Sequence, residues 1–379
     1  MTSYFLPYTQ LQNLFQVLQD AGFSCVGPQM RDGAIVYDVL KHADQLPWGM
    51  RDIQTPGSYT LEKIPEDKAF AFANGPQAIK PVLFKPQETV WKVERNTEGK
   101  LTFKPHQAEE MPVALIGARS CDLVAMNIQD KVFIESAHPD PRYKKRREQL
   151  FIVAVHCTYS SENCFCVSAG TGPEVRNPFD ILMTEIVDGF VVISGSERGE
   201  KIISNLDLIE AKPAQCNESI KNVAQAGAMQ TKRIPLNNKR ELRDLLFSNL
   251  NHPRWDEVAE RCLSCGNCTL VCPTCFCHTE VEKPSLDGTQ SEHQREWDSC
   301  FTTGHSNLNG KIIREDTRKQ YRQWLTHKVG SWFDQFDTSG CVGCGRCMTW
   351  CPVGIDITEE LAAISGESNV RSKQSDSTQ

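Results

Sequence analysis

Eight cysteines constrain this chain more than anything else in it. They form two runs of one spacing: Cys262, Cys265, Cys268 and Cys272, closed by Pro273, then Cys341, Cys344, Cys347 and Cys351, closed by Pro352. This is the run with which bacterial-type ferredoxins hold iron–sulfur clusters. Three cysteines in a tight turn can aim their sulfurs at one face of a cubane. The fourth, about a helical turn further on, faces away and ligates the other cluster. The proline stops the helix-like turn and stiffens the loop. The spacing therefore predicts two 4Fe-4S clusters with crossed ligand sets: Cys262, Cys265, Cys268 and Cys351 for one, Cys272, Cys341, Cys344 and Cys347 for the other. Structural zinc also takes four thiolates, but as separated Cys-x2-Cys pairs; four cysteines in one short run, twice, is a different pattern.

The rest of the composition narrows the class. A chain of 379 residues is long enough for two or three domains, and a hydrophobic content of 40% can fill a sizeable core. A net charge of -7 argues against general nucleic-acid binding. The start of the chain lacks a basic segment followed by an apolar one, so no signal peptide is expected. The longest apolar runs, such as 112–118, are too short to span a bilayer. Thiolates that bind metal in a cytoplasmic protein suit the 17 cysteines better than a secreted disulfide scaffold.

Along the chain, residues 9–21 read as an amphipathic helix, with Thr9 and Gln12 at capping-box spacing and Gly22 as the stop. A strand is expected at 33–39, and loops with short strands over 47–86. Residues 112–118 and 150–155 look like fully buried strands of an α/β pattern, and 189–194 like a third. The first ends in Arg119-Ser120-Cys121-Asp122, where Asp122 can cap the next helix; the second ends in His156-Cys157, with Cys164 and Cys166 shortly after. Such sheets hold ligands at the carboxyl ends of their strands. Two readings stand for Cys121, Cys157, Cys164 and Cys166: ligands of a third iron–sulfur cluster, or buried thiols without metal. A helix N-terminus at Cys121 favours its thiolate.

Lys144-Lys145-Arg146-Arg147 reads as a solvated helix face, with a docking site for an acidic partner as the alternative. Gly170-Thr171-Gly172 is too short a glycine pattern for a nucleotide loop. From about 240 the composition shifts. Residues 240–251 look helical, and 311–336 carry Tyr321, Trp324, Leu325, Val329, Trp332, Phe333 and Phe336 at helical spacing. Arg314, Arg318, Lys319, Arg322 and Lys328 fall largely on the other face, expected to be solvated or to screen anionic clusters. The 68 residues between Cys272 and Cys341 suit a helical two-cluster domain with an inserted segment. Cys275, Cys277 and Cys300 lack an assignment, and Cys25 reads as an ordinary buried residue. The expected fold is α+β: an N-terminal α/β domain (1–239), a mainly helical two-cluster ferredoxin-like domain (240–364) and a disordered tail (365–379). No catalytic residues are expected.

The order of several blocks resembles one family. They are Pro56-Gly57-Ser58-Tyr59, Phe72-Ala73-Asn74-Gly75-Pro76, Gly117-Ala118-Arg119-Ser120-Cys121-Asp122-Leu123, Cys164-Phe165-Cys166, Gly170-Thr171-Gly172-Pro173, the two cysteine runs, Cys272-Pro-Thr-Cys-Phe-Cys277 and Trp297-Asp298-Ser299-Cys300. The chain resembles the β subunits of soluble nickel–iron hydrogenases, also called sulfhydrogenases or sulfur reductases, and is similar to the corresponding iron–sulfur subunit of anaerobic sulfite reductase. Where the family has proline before the cysteine of its Arg-x-Cys-Asp block, Ser120 stands here. The resemblance implies an electron-transfer subunit of a hetero-oligomeric complex. Its partners would be the small and large nickel–iron hydrogenase subunits and an NAD(P)H-binding flavin reductase subunit. In the sulfite reductase alternative the partner carries sirohaem. An alternative of another class is a zinc-stabilised assembly subunit with no redox role.

Overall fold

The computed structural model describes residues 2–106, 110–176, 178–235 and 239–366. The predicted tail lies, from residue 367 on, outside the described residues. The protein has the mixed α+β character expected, with 35% of the described residues helical and 25% in strands.

Eight strands form the main sheet: β1 (Ser3–Pro7), β2 (Ser24–Arg31), β3 (Ala34–Val39), β8 (Val113–Ala118), β9 (Phe151–Val155), β10 (Ile181–Ile186), β11 (Gly189–Ser194) and β12 (Ile209–Glu210). Their spatial order is β12-β1-β11-β10-β9-β8-β2-β3. The inner four, β10, β9, β8 and β2, run parallel; the flanking strands pair antiparallel. Buried parallel strands read as continuous apolar runs because both faces are covered. Here Ile116, Val153 and Met183 point to one face, against Leu14, Phe15 and Leu18 of the helix Leu11–Asp20. Leu115, Ile152 and Leu182 point to the other, against Leu123, Met126 and Tyr143. The first helix starts at Leu11 without the expected cap: its N-cap is Gln10, with no side-chain bond, and the Gln12 Oε1 accepts instead from the Ala43 N–H at 2.8 Å.

Two more pairs build outward from this body. β4 (Met50–Thr55) and β5 (Ser58–Lys63) form a hairpin. β6 (Gln87–Arg95) and β7 (Leu101–Pro105) join β13 (His278–Pro284) and β14 (Gln290–Trp297) in an antiparallel sheet ordered β13-β14-β6-β7. The inserted segment between the cysteine runs is thus partly a hairpin that pairs with a strand far back in the chain.

The basic run 144–147 lies on the helix Pro141–Gln149, and only Lys144 and Lys145 are exposed as a solvated face would be. Arg146 is buried against Glu88 and Glu110, and Arg147 pairs with Asp130 at 3.0 Å. Arg295 joins the same network through Glu88 (2.8 Å) and Asp140. Arg146 and Arg295 therefore fasten the small sheet to the main body, while Arg147 ties two helices of that body together.

The remaining residues pack around a second core of Leu242, Leu246, Trp255, Val258, Tyr321, Trp324, Leu325, Val329, Ile357 and Leu361. Tyr321, Trp324, Leu325, Val329 and Trp332 of the aromatic stripe are core, as expected, while Phe333 and Phe336 are half-buried. The helical stretch begins later than predicted, at Thr317, and is broken by a π turn at His327–Ser331 before Trp332–Phe336. A π turn adds a residue to the helical repeat and rotates the residues beyond it. Lys328, grouped above with the basic residues, lies within this turn, four residues after Trp324 and three after Leu325; that spacing puts it on the core side of the helix, and it is 4% exposed.

Candidate functional site

The two cysteine loops follow the same path. The helix Arg254–Arg261 ends where Cys262 N–H bonds the Val258 carbonyl at 2.9 Å. The chain then takes left-handed conformations at Ser264 (φ 50°) and Gly266 (φ 76°) before the short helix Asn267–Leu270. In the second loop the same places are Gly343 (φ 64°) and Gly345 (φ 74°), before Arg346–Thr349. Two left-handed residues per loop curl three cysteines toward one side.

The fourth cysteine of each run lies among the first three of the other. The charges that act on Cys268 include Cys262, Cys265 and Cys351; those that act on Cys347 include Cys341, Cys344 and Cys272. Among the described residues, no three His, Cys, Asp or Glu side chains are gathered closely enough for a single metal ion. Cys262, Cys265, Cys268 and Cys351, with Cys347 of the second run beside them, line a cavity walled by Phe301, Tyr321, Trp324, Ile355 and Ile357. Tyr321 Oη and Trp324 Nε1 in that wall are buried without a hydrogen-bond partner among the described residues. Buried donors of this kind normally find an acceptor, and the sulfurs of a cluster would be one. Ser264 N–H donates to Cys262 Sγ and Ile355 N–H to Cys351 Sγ, both at 3.4 Å. The donor set and its surroundings fit a cubane cluster.

Around Cys272 the setting differs. Its thiol is held well below the ordinary value by a hydrogen bond from Cys275 and by the ammonium of Lys328, against the opposing effect of burial. Lys328 Nζ donates to Thr274 Oγ1 at 2.9 Å, Cys275 Sγ at 3.0 Å and Cys272 Sγ at 3.4 Å. Cys277 and Cys300 act on one another nearby. Burial pushes the Cys341 thiol up to about 12; a metal binds the thiolate and displaces that proton.

The other four candidate cysteines also meet. Cys121 opens the helix Ser120–Phe133 after β8, and Cys157 follows β9, so both stand at the carboxyl edge of the parallel strands. Cys157 acts on Cys121, Cys164 and Cys166 alike. Their sulfurs meet polar side chains: Asn74 Nδ2 donates to Cys121 at 3.3 Å, Gln230 Nε2 donates to Cys166 at 3.1 Å, and Ser161 Oγ lies 3.3 Å from Cys164. Cys121 stands at the helix N-terminus, as expected. Burial and the neighbouring Asp122 hold its thiol well above the ordinary value. Asp122 sits at the third helical position, where its Oδ2 accepts from Arg119 N–H at 3.3 Å and from Asn74 Nδ2 at 3.1 Å.

This group abuts the second cysteine loop. Phe165 N–H donates to the Gly343 carbonyl at 2.9 Å. A Cβ on Gly343 would fall 2.7 Å from Cys166 Cα, and one on Gly345 would fall 2.3 Å from the Asn163 carbonyl. Arg346, between Cys344 and Cys347, reaches Asp122 Oδ1 at 2.7 Å and the Gly75 carbonyl at 3.2 Å. The Pro56-Gly57 turn meets the end of the second run, with Gly57 N–H on the Met348 carbonyl at 3.0 Å and Tyr59 stacked on Trp350. Cys25 is buried in the main core and Cys216 stands on the helix Pro213–Ala228, apart from these groups. Gln230 and Lys80 went unrecognised in the sequence; Asn74 and Arg346 figured only within family blocks, and Lys328 only as one of a basic set solvated or screening clusters.

Paired, interleaved cysteine loops in this setting define an iron–sulfur electron-transfer protein with 4Fe-4S clusters. A family model described as a 4Fe-4S dicluster domain matches residues 261–355. Sulfhydrogenase 2 subunit beta of Pyrococcus furiosus is 33% identical over 284 residues, 74% of this chain and 81% of that protein. The chain belongs to the sulfhydrogenase β-subunit family. No solved structure matches it. No helix among the described residues is long and apolar enough to cross a membrane.

Proposed function

We propose that the chain relays single electrons inside a cytoplasmic hydrogenase or sulfur reductase complex. It would link an NAD(P)H-binding flavin reductase subunit to the small and large nickel–iron subunits and itself carry neither flavin nor nickel. Cys262, Cys265, Cys268 and Cys351 would hold the first cluster, Cys272, Cys341, Cys344 and Cys347 the second, and Cys121, Cys157, Cys164 and Cys166 a third. The 4Fe-4S clusters supply one-electron chemistry when bound; the chain supplies thiolates, sulfur-directed donors and exclusion of water. Residues 1–239 and 240–364 are read as two domains that share this line of cysteines.

One observation carries the reading: the three thiol groups adjoin in sequence from the surface inward. Cys265 is exposed and Leu263 beside it is 63% exposed. The second loop lies behind, and Cys166 packs on that loop. A relay needs such a succession, with its exposed end facing a partner. The sulfhydrogenase relative favours the nickel–iron partners over sirohaem and over a redox-silent zinc role. Anaerobic affinity purification from the native host tests this. Co-purification of a nickel protein and a flavoprotein is expected; a sirohaem protein, or a colourless zinc-bearing chain, would overturn the proposal.

A further inference from the structure

We infer that Lys328, assisted by Lys80, holds the cluster of Cys272, Cys341, Cys344 and Cys347 at a higher reduction potential than its neighbour, making it the resting place of an electron shared by the pair. This rests on the ligand sets proposed above.

Both lysines are 4% exposed. Among the described residues, neither has a carboxylate within ion-pair distance. Lys328 places its ammonium on Thr274 and on the sulfurs of Cys275 and Cys272. Lys80 Nζ lies 3.5 Å from the Thr269 carbonyl and 3.7 Å from the centre of the Trp297 ring. Buried charges without a counter-charge are costly. Among the described residues the cysteine sulfurs supply the negative charge here: Cys275 lies 3.0 Å from the Lys328 ammonium, and the cluster ligand Cys272, to which Cys275 hydrogen-bonds, lies 3.4 Å away. A four-thiolate cluster is anionic and becomes more so on reduction. A cation donating to a ligand sulfur therefore favours the reduced form.

Lys328 is also fixed. Its carbonyl accepts from Gly340 N–H at 2.8 Å, one residue before Cys341. A Cβ on Gly340 would meet that carbonyl at 2.7 Å and Trp332 at 2.7 Å. The lysine backbone and the ligand loop are therefore clamped together.

The first ligand set meets neutral donors instead: Tyr321, Trp324 and two backbone N–H groups. Neutral donors bond more weakly than charged ones. The resulting transfer is internal: one electron leaves the first cluster and enters the second, with no proton and no outside reagent.

The test is a redox titration of the anaerobically purified full chain, followed by electron paramagnetic resonance. The Cys351→Ser variant, which removes a ligand of the first cluster, assigns the two signals. In the unaltered protein the second cluster should have the higher midpoint. Lys328→Met should move that midpoint down and leave the first in place, while Lys328→Arg, which keeps the charge, should move it less. If Lys328→Met loses iron, Lys80→Met reads a smaller shift of the same sign. Wild-type midpoints in lysine variants that retain their iron, or a lower midpoint for the second cluster in the unaltered protein, would overturn the inference. Absence of two 4Fe-4S signals in the unaltered protein would instead overturn the ligand assignment beneath it.

Discussion

Arg346→Met should cost this protein far more than an ordinary surface change. Arg346 and Asp122 are 1% and 0% exposed and 2.7 Å apart, and they bind the second cysteine loop to the carboxyl edge of the main sheet. Removing one partner of a buried pair leaves a stranded charge, at about 3–5 kcal/mol. Asp122 keeps Asn74 and Arg119 N–H as donors, which pulls the figure toward about 3 kcal/mol. The Gly75 carbonyl loses its guanidinium donor, adding about 1 kcal/mol. At about 2.1 cal/mol/K of unfolding entropy per residue, a chain of 379 residues shifts by about 1 °C per kcal/mol, so the melting midpoint should fall by roughly 4–6 °C. Calorimetry at one heating rate, on samples of matched iron content, measures it. Asp122→Asn combined with Arg346→Met should cost less than the two single changes added, because no carboxylate is then left alone. A single-variant loss under about 1 kcal/mol, or strict additivity, would refute the claim that this pair fastens the loop.

Tyr321→Phe should leave iron content unchanged and lower the midpoint of the first cluster, since its hydroxyl has no other partner among the described residues; redox titration reads it. Cys164→Ser should remove about four iron atoms per chain if a third cluster is held there, and unchanged iron would leave those thiols without metal. Burial raises the Glu185 carboxyl from 4.5 to about 7, despite backbone N–H donors from Ala69 and Phe70 that pull it down. The folded chain then binds more protons than the unfolded one between those values, so stability falls as pH rises from 4.5 to about 7 and levels off above. Glu185→Gln should flatten that slope in melts run across the same window.

What the sequence made legible was chemistry held by local spacing. The cysteine runs, and the strands 113–118, 151–155 and 189–194, carry their signal within a few residues. What it hid depended on distant partners. Residues 278–297 are rich in Glu, Gln and His and lack an alternating apolar signal. They form a hairpin because β6 pairs with them and because His293 stacks on Trp91 at 4.4 Å between Glu280 and Glu282. Arg146 reads as solvated until Glu88 and Glu110 are brought over it by the fold. Lys328 reads as one of a basic set, although its spacing from Trp324 and Leu325 already puts it on the core side, where it is 4% exposed. The meeting of Cys121, Cys157, Cys164 and Cys166 was inferred from strand ends. Its closeness to the second loop was not, because Gly343 and Gly345 look like generic turn residues until their contacts are seen.

Native mass spectrometry of the anaerobically purified full chain tests the central claim most directly. Two interleaved cysteine runs should add mass in whole 4Fe-4S units, with at least two units and so about eight iron atoms bound. A bare polypeptide, or one carrying single zinc ions in place of cubes, would contradict the account.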